Sequence, residues 1–279
     1  MFFKKIAILV SLLMFSLCGC NNLSDAVNDT SSDDYTSQED TTLSEEVTTA
    51  QASTDEEIAQ DVEILNFKQP EIGEEIAVIT VKDFGTIKIK LFEDECPKGV
   101  ENFKRLISEK NYYDDIIFHR VIEGFVIQAG DPNGNGTGGE SIWGDGFERE
   151  FNDGLRHFAG AVAYATNSVD YLNKSQFYIV SQNNGYDFNE SYFNMMEDSY
   201  GVLFPNNVRE KYQEVGGTPY LDGDYEVFGQ VFDGMDVVLA ISQVETDSND
   251  KPYDDIIIES ATIEEYDGSP ITDGIGSSN

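Results

Sequence analysis

FHRVIEGFVIQAGD, residues 118–131, followed by NGTGGESIWG at 135–144, decides the fold. Side chains alternate faces along a strand, so Arg120 and Ile122 share one face. Gly124 permits a kink, and Phe125 and Val126 begin a second segment beyond it, with Gln128 following. An arginine so placed sits among apolar groups rather than on a solvated loop.

Working outward, IAVITVKDFGTIKIKLF (76–92) gives two apolar-rich runs around Asp83, Phe84 and Gly85, with Lys88 and Lys90 alternating against Ile87, Ile89 and Leu91. This predicts a β-hairpin. Pro97 then opens a helix whose Val100, Phe103, Leu106 and Ile107 fall on one face, and Asn111 closes it. Short strands are expected at 116–120, 126–129, 161–164, 177–180 and 227–231, a second helix at 235–241 and a last strand at 256–263. Many short strands, frequent glycine turns and two main helices point to a mainly β fold, a closed barrel with helices over its ends. A long segment, 183–218, interrupts this pattern. Within it Val208, Tyr212 and Val215 recur at helical spacing before Gly216 and Gly217, which predicts an added helix.

The block around Arg120 resembles the signature of the cyclophilin family of peptidyl-prolyl isomerases. SQFYIV (175–180) resembles the family's second pocket strand, and YLDGDYEVFGQVFDGMDVV (220–238) its third block and following helix. Three blocks in the family's order are far more specific than one short motif. The resemblance covers most of 76–264 and implies an eight-stranded barrel capped by two helices.

It also implies roles. Arg120 matches the family's catalytic arginine. Phe125, Val126, Phe177, Tyr178, Tyr220, Leu221 and Tyr225 match pocket positions, and Gln128 and Gln176 match polar neighbours that hold the arginine and the peptide. Ala165 and Thr166 match a stretch that binds substrate mainly through backbone atoms. Three positions depart from the best-known members: Val126 stands where methionine is common, Tyr220 where tryptophan, which supports cyclosporin binding, is common, and Tyr225 where histidine is common. These substitutions keep apolar contact while replacing the side chains that the best-known members carry there.

Competing chemistries find little support. His119 beside Phe118 reads as a hydrogen-bonded core histidine rather than a general base. With His157 the only other histidine and no cysteine pair, zinc ligation is not expected, and no cofactor is implied. Gly134, Gly136 and Gly139 satisfy G-x-G-x-x-G, but SIWG follows in place of a helix. Asp131, Asn133, Asn135 and Gly136 begin like a calcium loop, yet Ile142 occupies the position that needs a bidentate glutamate. These glycines are expected to shape a loop at the rim of the groove.

The N-terminus reads MFFKKIAILVSLLMFSLCGC: two lysines, an apolar run too short to span a bilayer, then Leu17-Cys18-Gly19-Cys20. This resembles a bacterial lipobox and implies removal of 1–19 as a signal peptide and lipidation of Cys20. Residues 20–67 are rich in Ser, Thr, Asp and Glu, with no Lys or Arg between Lys5 and Lys68, and read as a disordered acidic tether. Within that tether, 55–67 shows a weak helical spacing at Ile58, Val62 and Leu65. The folded domain is then 68–267, with a disordered tail at 268–279. Once Cys18 is removed and Cys20 lipidated, Cys96 remains as a lone thiol. A formal net charge of -36 repels phosphate backbones and anionic lipids, so nucleic acid is not a partner, the lipid is the sole expected membrane contact, and a soluble monomer is expected.

The expected function is therefore peptidyl-prolyl cis-trans isomerisation, with proline-containing unfolded or exported polypeptides as partners at the outer face of the cell membrane. A non-catalytic peptide-binding module of the same fold is an alternative, and so is a solute-binding lipoprotein. The latter would need two lobes around a ligand cleft.

Overall fold

The computed structural model describes residues 60–166, 169–183 and 187–271. The signal peptide, Cys20, the tether up to residue 59 and the tail from 272 lie outside them.

Strand β1 (Glu75–Val81) turns through Asp83, at φ 65°, into β2 (Gly85–Leu91), pairing antiparallel from Ile76↔Lys90 to Val81↔Gly85. Ile87, Ile89 and Leu91 point inward, while Lys88 and Lys90 point out to ion pairs with Asp233 and Glu74. Helix α1 (Pro97–Lys110) starts on proline and ends at Asn111, which adopts the left-handed conformation with its N–H bonded to Ile107 O at 3.1 Å. Its apolar face buries Phe103 among Tyr113, Phe177 and Phe228, with ring centroids 5.0–5.4 Å apart.

Then follow β3 (Arg120–Ile122), β4 (Val126–Ala129), β5 (Ala161–Tyr164), β6 (Phe177–Val180), α2 (Glu190–Tyr200), α3 (Asn206–Val215), β7 (Val227–Asp233), α4 (Met235–Ser242) and β8 (Ile258–Glu265). The eight strands form one antiparallel sheet in the order β3-β4-β6-β5-β7-β2-β1-β8, with α1 and α4 packed on it. The sheet curls until its ends meet. Residues 116–118, expected as a strand, instead join the two edges: Ile117 bridges Ile257, Phe118 N–H donates to Ile256 O at 2.9 Å and Ile258 N–H to Ile116 O at 2.8 Å. The ladder of β3 therefore begins later than expected, at Arg120.

Two expectations need correction. The folded part begins before residue 68: Leu65 is buried, and Asn66 donates to Gln230 Oε1 at 2.8 Å and to Arg156 O at 3.0 Å. From Gln60 to Leu65 the chain is irregular rather than helical, and Asn66 and Phe67 form a turn closed by Lys68 N–H donating to Leu65 O at 3.0 Å, while Leu65 N–H donates to Gly154 O at 2.9 Å. The second correction concerns 183–218: the expected helix is α3, and the described residues of the segment carry another, α2, ahead of it. The Asn189 side chain caps α2 by accepting the Tyr192 N–H, and Gly201 ends it in the left-handed region. Together α2 and α3 bury Phe193, Phe204, Val208 and Tyr212 around Phe158, a second small core beside the barrel.

Candidate active site

The β3–β4 hairpin turns at Gly124, φ +68°, a conformation that a side chain disfavours. Its register sets Arg120 opposite Gln128, Gln128 opposite Tyr178 and Tyr178 opposite Ala163. Opposed residues share a face, so these four form one row across β3, β4, β6 and β5. The adjacent row on that face is Ile122, Val126 and Val180. The alternate residues Val121, Ile127 and Ile179 point into the barrel and are fully or almost fully buried.

The second side of the recess comes from the segment before β7. A short 3-10 turn, Pro219–Leu221, presents Tyr220, which stacks on Phe125 at 5.9 Å and 27°. Leu221 is buried behind it, and the half-buried Tyr225 meets Tyr178 edge-on at 5.9 Å. Burial raises the phenol pKa of Tyr225 and, further, of Tyr178, so both stay protonated at neutral pH. Beside this apolar recess lies a polar groove of about 260 Å³, lined by Gln128, Gln176, Ala165, Thr166 and the 136–139 loop.

That loop is fixed from below. The Asp131 carboxylate accepts the backbone N–H groups of Asn133, Asn135, Gly136 and Thr137, which accounts for an acidic residue before a glycine run without a metal or a phosphate. Gln176 Nε2 donates to Gly136 O at 3.1 Å and Gly138 O at 2.7 Å, tying the rim to the floor.

Ten of the eleven expected binding residues thus fall in the recess and its neighbouring groove. Phe177 does not. It is one residue out of phase with Tyr178, so its ring lies inside the barrel against Phe103 and Tyr113 and cannot touch a ligand in the recess. The polar support of Arg120 also differs from expectation. Gln128 donates to Gln176 Oε1 at 3.0 Å, while the arginine Nε–H donates to Asp250 Oδ2 at 3.3 Å. Asp250 sits in the 247–251 turn with φ 64° and carried no motif. His119 is buried as expected, but both ring nitrogens lack a hydrogen-bond partner among the described residues. Burial lowers its pKa, so it is neutral at pH 7 and packs beneath the loop at Gly136.

A chain that sets an arginine in this row, with this order of blocks, has known counterparts. The sequence model of the family described as "Cyclophilin type peptidyl-prolyl cis-trans isomerase/CLD" matches residues 76–263. The chain belongs to the cyclophilin family. A Staphylococcus aureus (strain USA300) protein, named provisionally as a peptidyl-prolyl cis-trans isomerase, is 42% identical over 192 residues, covering 68% of this chain and 93% of that protein. The peptidyl-prolyl cis-trans isomerase CYP71 of Arabidopsis thaliana is 40% identical over 186 residues, but the match spans only 24% of its length. The crystal structure of a Cryptosporidium parvum cyclophilin-type isomerase, determined in the presence of the dipeptide Ala-Pro, superposes with a TM-score of 0.53 at 31% identity, over 68% of this chain and 99% of that one. This cyclophilin carries its extra helices, α2 and α3, between the strand of Tyr178 and the turn of Tyr220.

Proposed function

We propose that this cyclophilin isomerises X-Pro bonds in exported polypeptides from the outer face of the cell membrane, held there by a lipidated Cys20. The observation that carries the catalytic part is Arg120, half-buried in the row with Gln128 and Tyr178 at the edge of an apolar recess. A relative bearing the family's name was crystallised with Ala-Pro, which supports a proline-containing ligand for this recess.

Rotation about X-Pro is slow because the C–N bond loses conjugation in the twisted state, a barrier of about 18–20 kcal/mol. No covalent bond need change. A site that binds the twisted form about 7 kcal/mol more tightly than either planar form accelerates the step by about five orders of magnitude. The twisted imide nitrogen regains a lone pair, and a guanidinium donor can meet it. With Nε held by Asp250, the two terminal nitrogens of Arg120 are the donors available for this. The rings of Phe125, Tyr178, Tyr220 and Tyr225, with Val126 and Leu221, exclude water that would compete.

In an isomerase assay on an X-Pro tetrapeptide, Arg120→Ala is expected to lower kcat/KM by ~10²-fold or more with the fold retained. Full activity in a folded Arg120→Ala protein would overturn Arg120 as the catalytic donor, whereas an unaltered protein that binds the peptide without turning it over would leave only peptide binding as the function. Localisation rests on Leu17-Cys18-Gly19-Cys20. Cys20→Ser is expected to abolish fatty-acid labelling and release the protein from the membrane fraction; labelling that persists in the variant would rule the anchor out.

A further inference from the structure

Tyr178 differs from a plain apolar wall in having a hydroxyl, and that hydroxyl has nowhere to go but inward: the residue is 5% exposed. A buried tyrosine hydroxyl needs a partner. It finds His157 Nε2 at 3.0 Å, with the two rings nearly parallel at 19°. The other ring nitrogen, Nδ1, donates to Asp222 Oδ1 at 2.8 Å, and the same oxygen accepts the His157 backbone N–H at 2.9 Å. With Nδ1 committed as donor, Nε2 faces the tyrosine as acceptor. Asp222 is held in turn from the added helices, Tyr212 of α3 donating to Oδ2 at 2.7 Å. Arg156 Nη1 lies 3.7 Å from that oxygen. His157, Asp222 and Tyr212 are all almost fully buried, so each bond holds a group that water does not compete for.

We propose that His157 is a positioning residue for isomerisation: it holds the Tyr178 ring as the wall of the proline recess, and Asp222 and Tyr212 fix His157 in the tautomer that does so. This rests on the reading of the recess as the isomerase site. It connects α3 to the recess through four side chains, Tyr212, Asp222, His157 and Tyr178.

The wall contacts the proline ring in the cis, trans and twisted states alike, so loosening it weakens binding in all three. The signature is a rise in KM at nearly constant kcat. A protein that merely misfolds in part shows the opposite, lower apparent kcat with KM unchanged. The test is a double-mutant cycle on an X-Pro tetrapeptide, using the full chain with His157→Leu, Tyr178→Phe and the pair. His157→Leu is expected to raise KM ~5-fold with kcat within ~2-fold, and His157→Gln, which can still reach the hydroxyl, to restore most of it. In the Tyr178→Phe background the effect of His157→Leu should fall below ~2-fold, because the bond it removes is already gone. An equal effect in both backgrounds, or a loss confined to kcat, overturns the proposal.

Should His157→Leu not fold, Tyr212→Phe removes one hydroxyl at the far end of the same chain of bonds. It is expected to raise KM ~2-fold with Tyr178 present and not at all in the Tyr178→Phe background. An unchanged KM with Tyr178 present again overturns the proposal. Arg120→Ala in the same assay separates the two readings: if it stays active the isomerase site itself is misassigned, whereas an inactive Arg120→Ala beside an additive cycle removes only the role of His157.

Discussion

Arg120 and Asp250 meet at 3.3 Å across 130 residues of sequence, and the carboxylate takes only Nε of the guanidinium. The same loop is pinned to the strand by Val121 N–H donating to Asp250 O at 2.8 Å. An arginine held at Nε keeps both terminal nitrogens in a fixed plane at the edge of the recess.

Asp250→Asn keeps a residue that tolerates the left-handed φ of 64° but removes the charge. Because the pair is partly exposed, stability should change by less than about 1 kcal/mol. Loss of orientation should still lower kcat/KM by ~3- to 10-fold. A rate equal to or above that of the unaltered protein would show that Asp250 is a passive neighbour.

Tyr220 stacks on Phe125 where the family's tryptophan, by resemblance, supports cyclosporin binding. The phenol lacks the indole N–H and some apolar area, so inhibition should be weak, and Tyr220→Trp should tighten it by about 1 to 2 kcal/mol. Titrating the drug into the isomerase assay checks this. Nanomolar inhibition of the unaltered protein would contradict it.

Glu226 is fully buried next to Tyr225. Burial pushes its carboxyl up to about 8, against the Glu150 backbone N–H, which donates to Oε2 at 2.8 Å and pulls it down. Between the ordinary value of 4.5 and about 8 the unfolded chain has lost a proton that the folded chain keeps. Stability from this residue is therefore complete below pH 4.5 and falls as pH rises to about 8, by on the order of a few kcal/mol. Glu226→Gln removes the titration, so the difference in Tm between variant and parent should grow in the variant's favour from pH 5 to pH 8. A difference independent of pH would mean that Glu226 folds ionised.

Gly99 lies inside α1, where alanine is normally preferred by about 1 kcal/mol. Here a Cβ would stand 2.0 Å from Glu226 Oε1 and 3.3 Å from the Tyr164 ring. Glu226 is pinned by Glu150 N–H and Asn173, so the clash should outweigh helix propensity. Gly99→Ala is expected to destabilise by about 1 to 2 kcal/mol in urea unfolding. A stabilised variant would show that the carboxyl moves freely.

What the sequence determined alone was everything set by local pattern. The alternation in IKIKL, the apolar face from Val100 to Ile107, Pro97 and Asn111 as helix ends, and the three blocks around Arg120, Tyr178 and Leu221 each depend on residues within a few positions of one another. The exact phase of a strand was decided otherwise. SQFYIV offers both Phe177 and Tyr178 as pocket aromatics, and only the pairing of β6 with β4 and β5 turns one into the barrel and the other toward the recess. The start of the domain was hidden for the same reason: Leu65 and Asn66 look like tether until Gly154 and Arg156, about ninety residues on, supply their partners. Asp250 and the bonds joining Tyr178, His157, Asp222 and Tyr212 leave no trace in spacing at all. Their members lie 10 to 130 residues apart, and a hydrogen bond is set by distance in space, which only the closed barrel and its added helices bring below 3.5 Å.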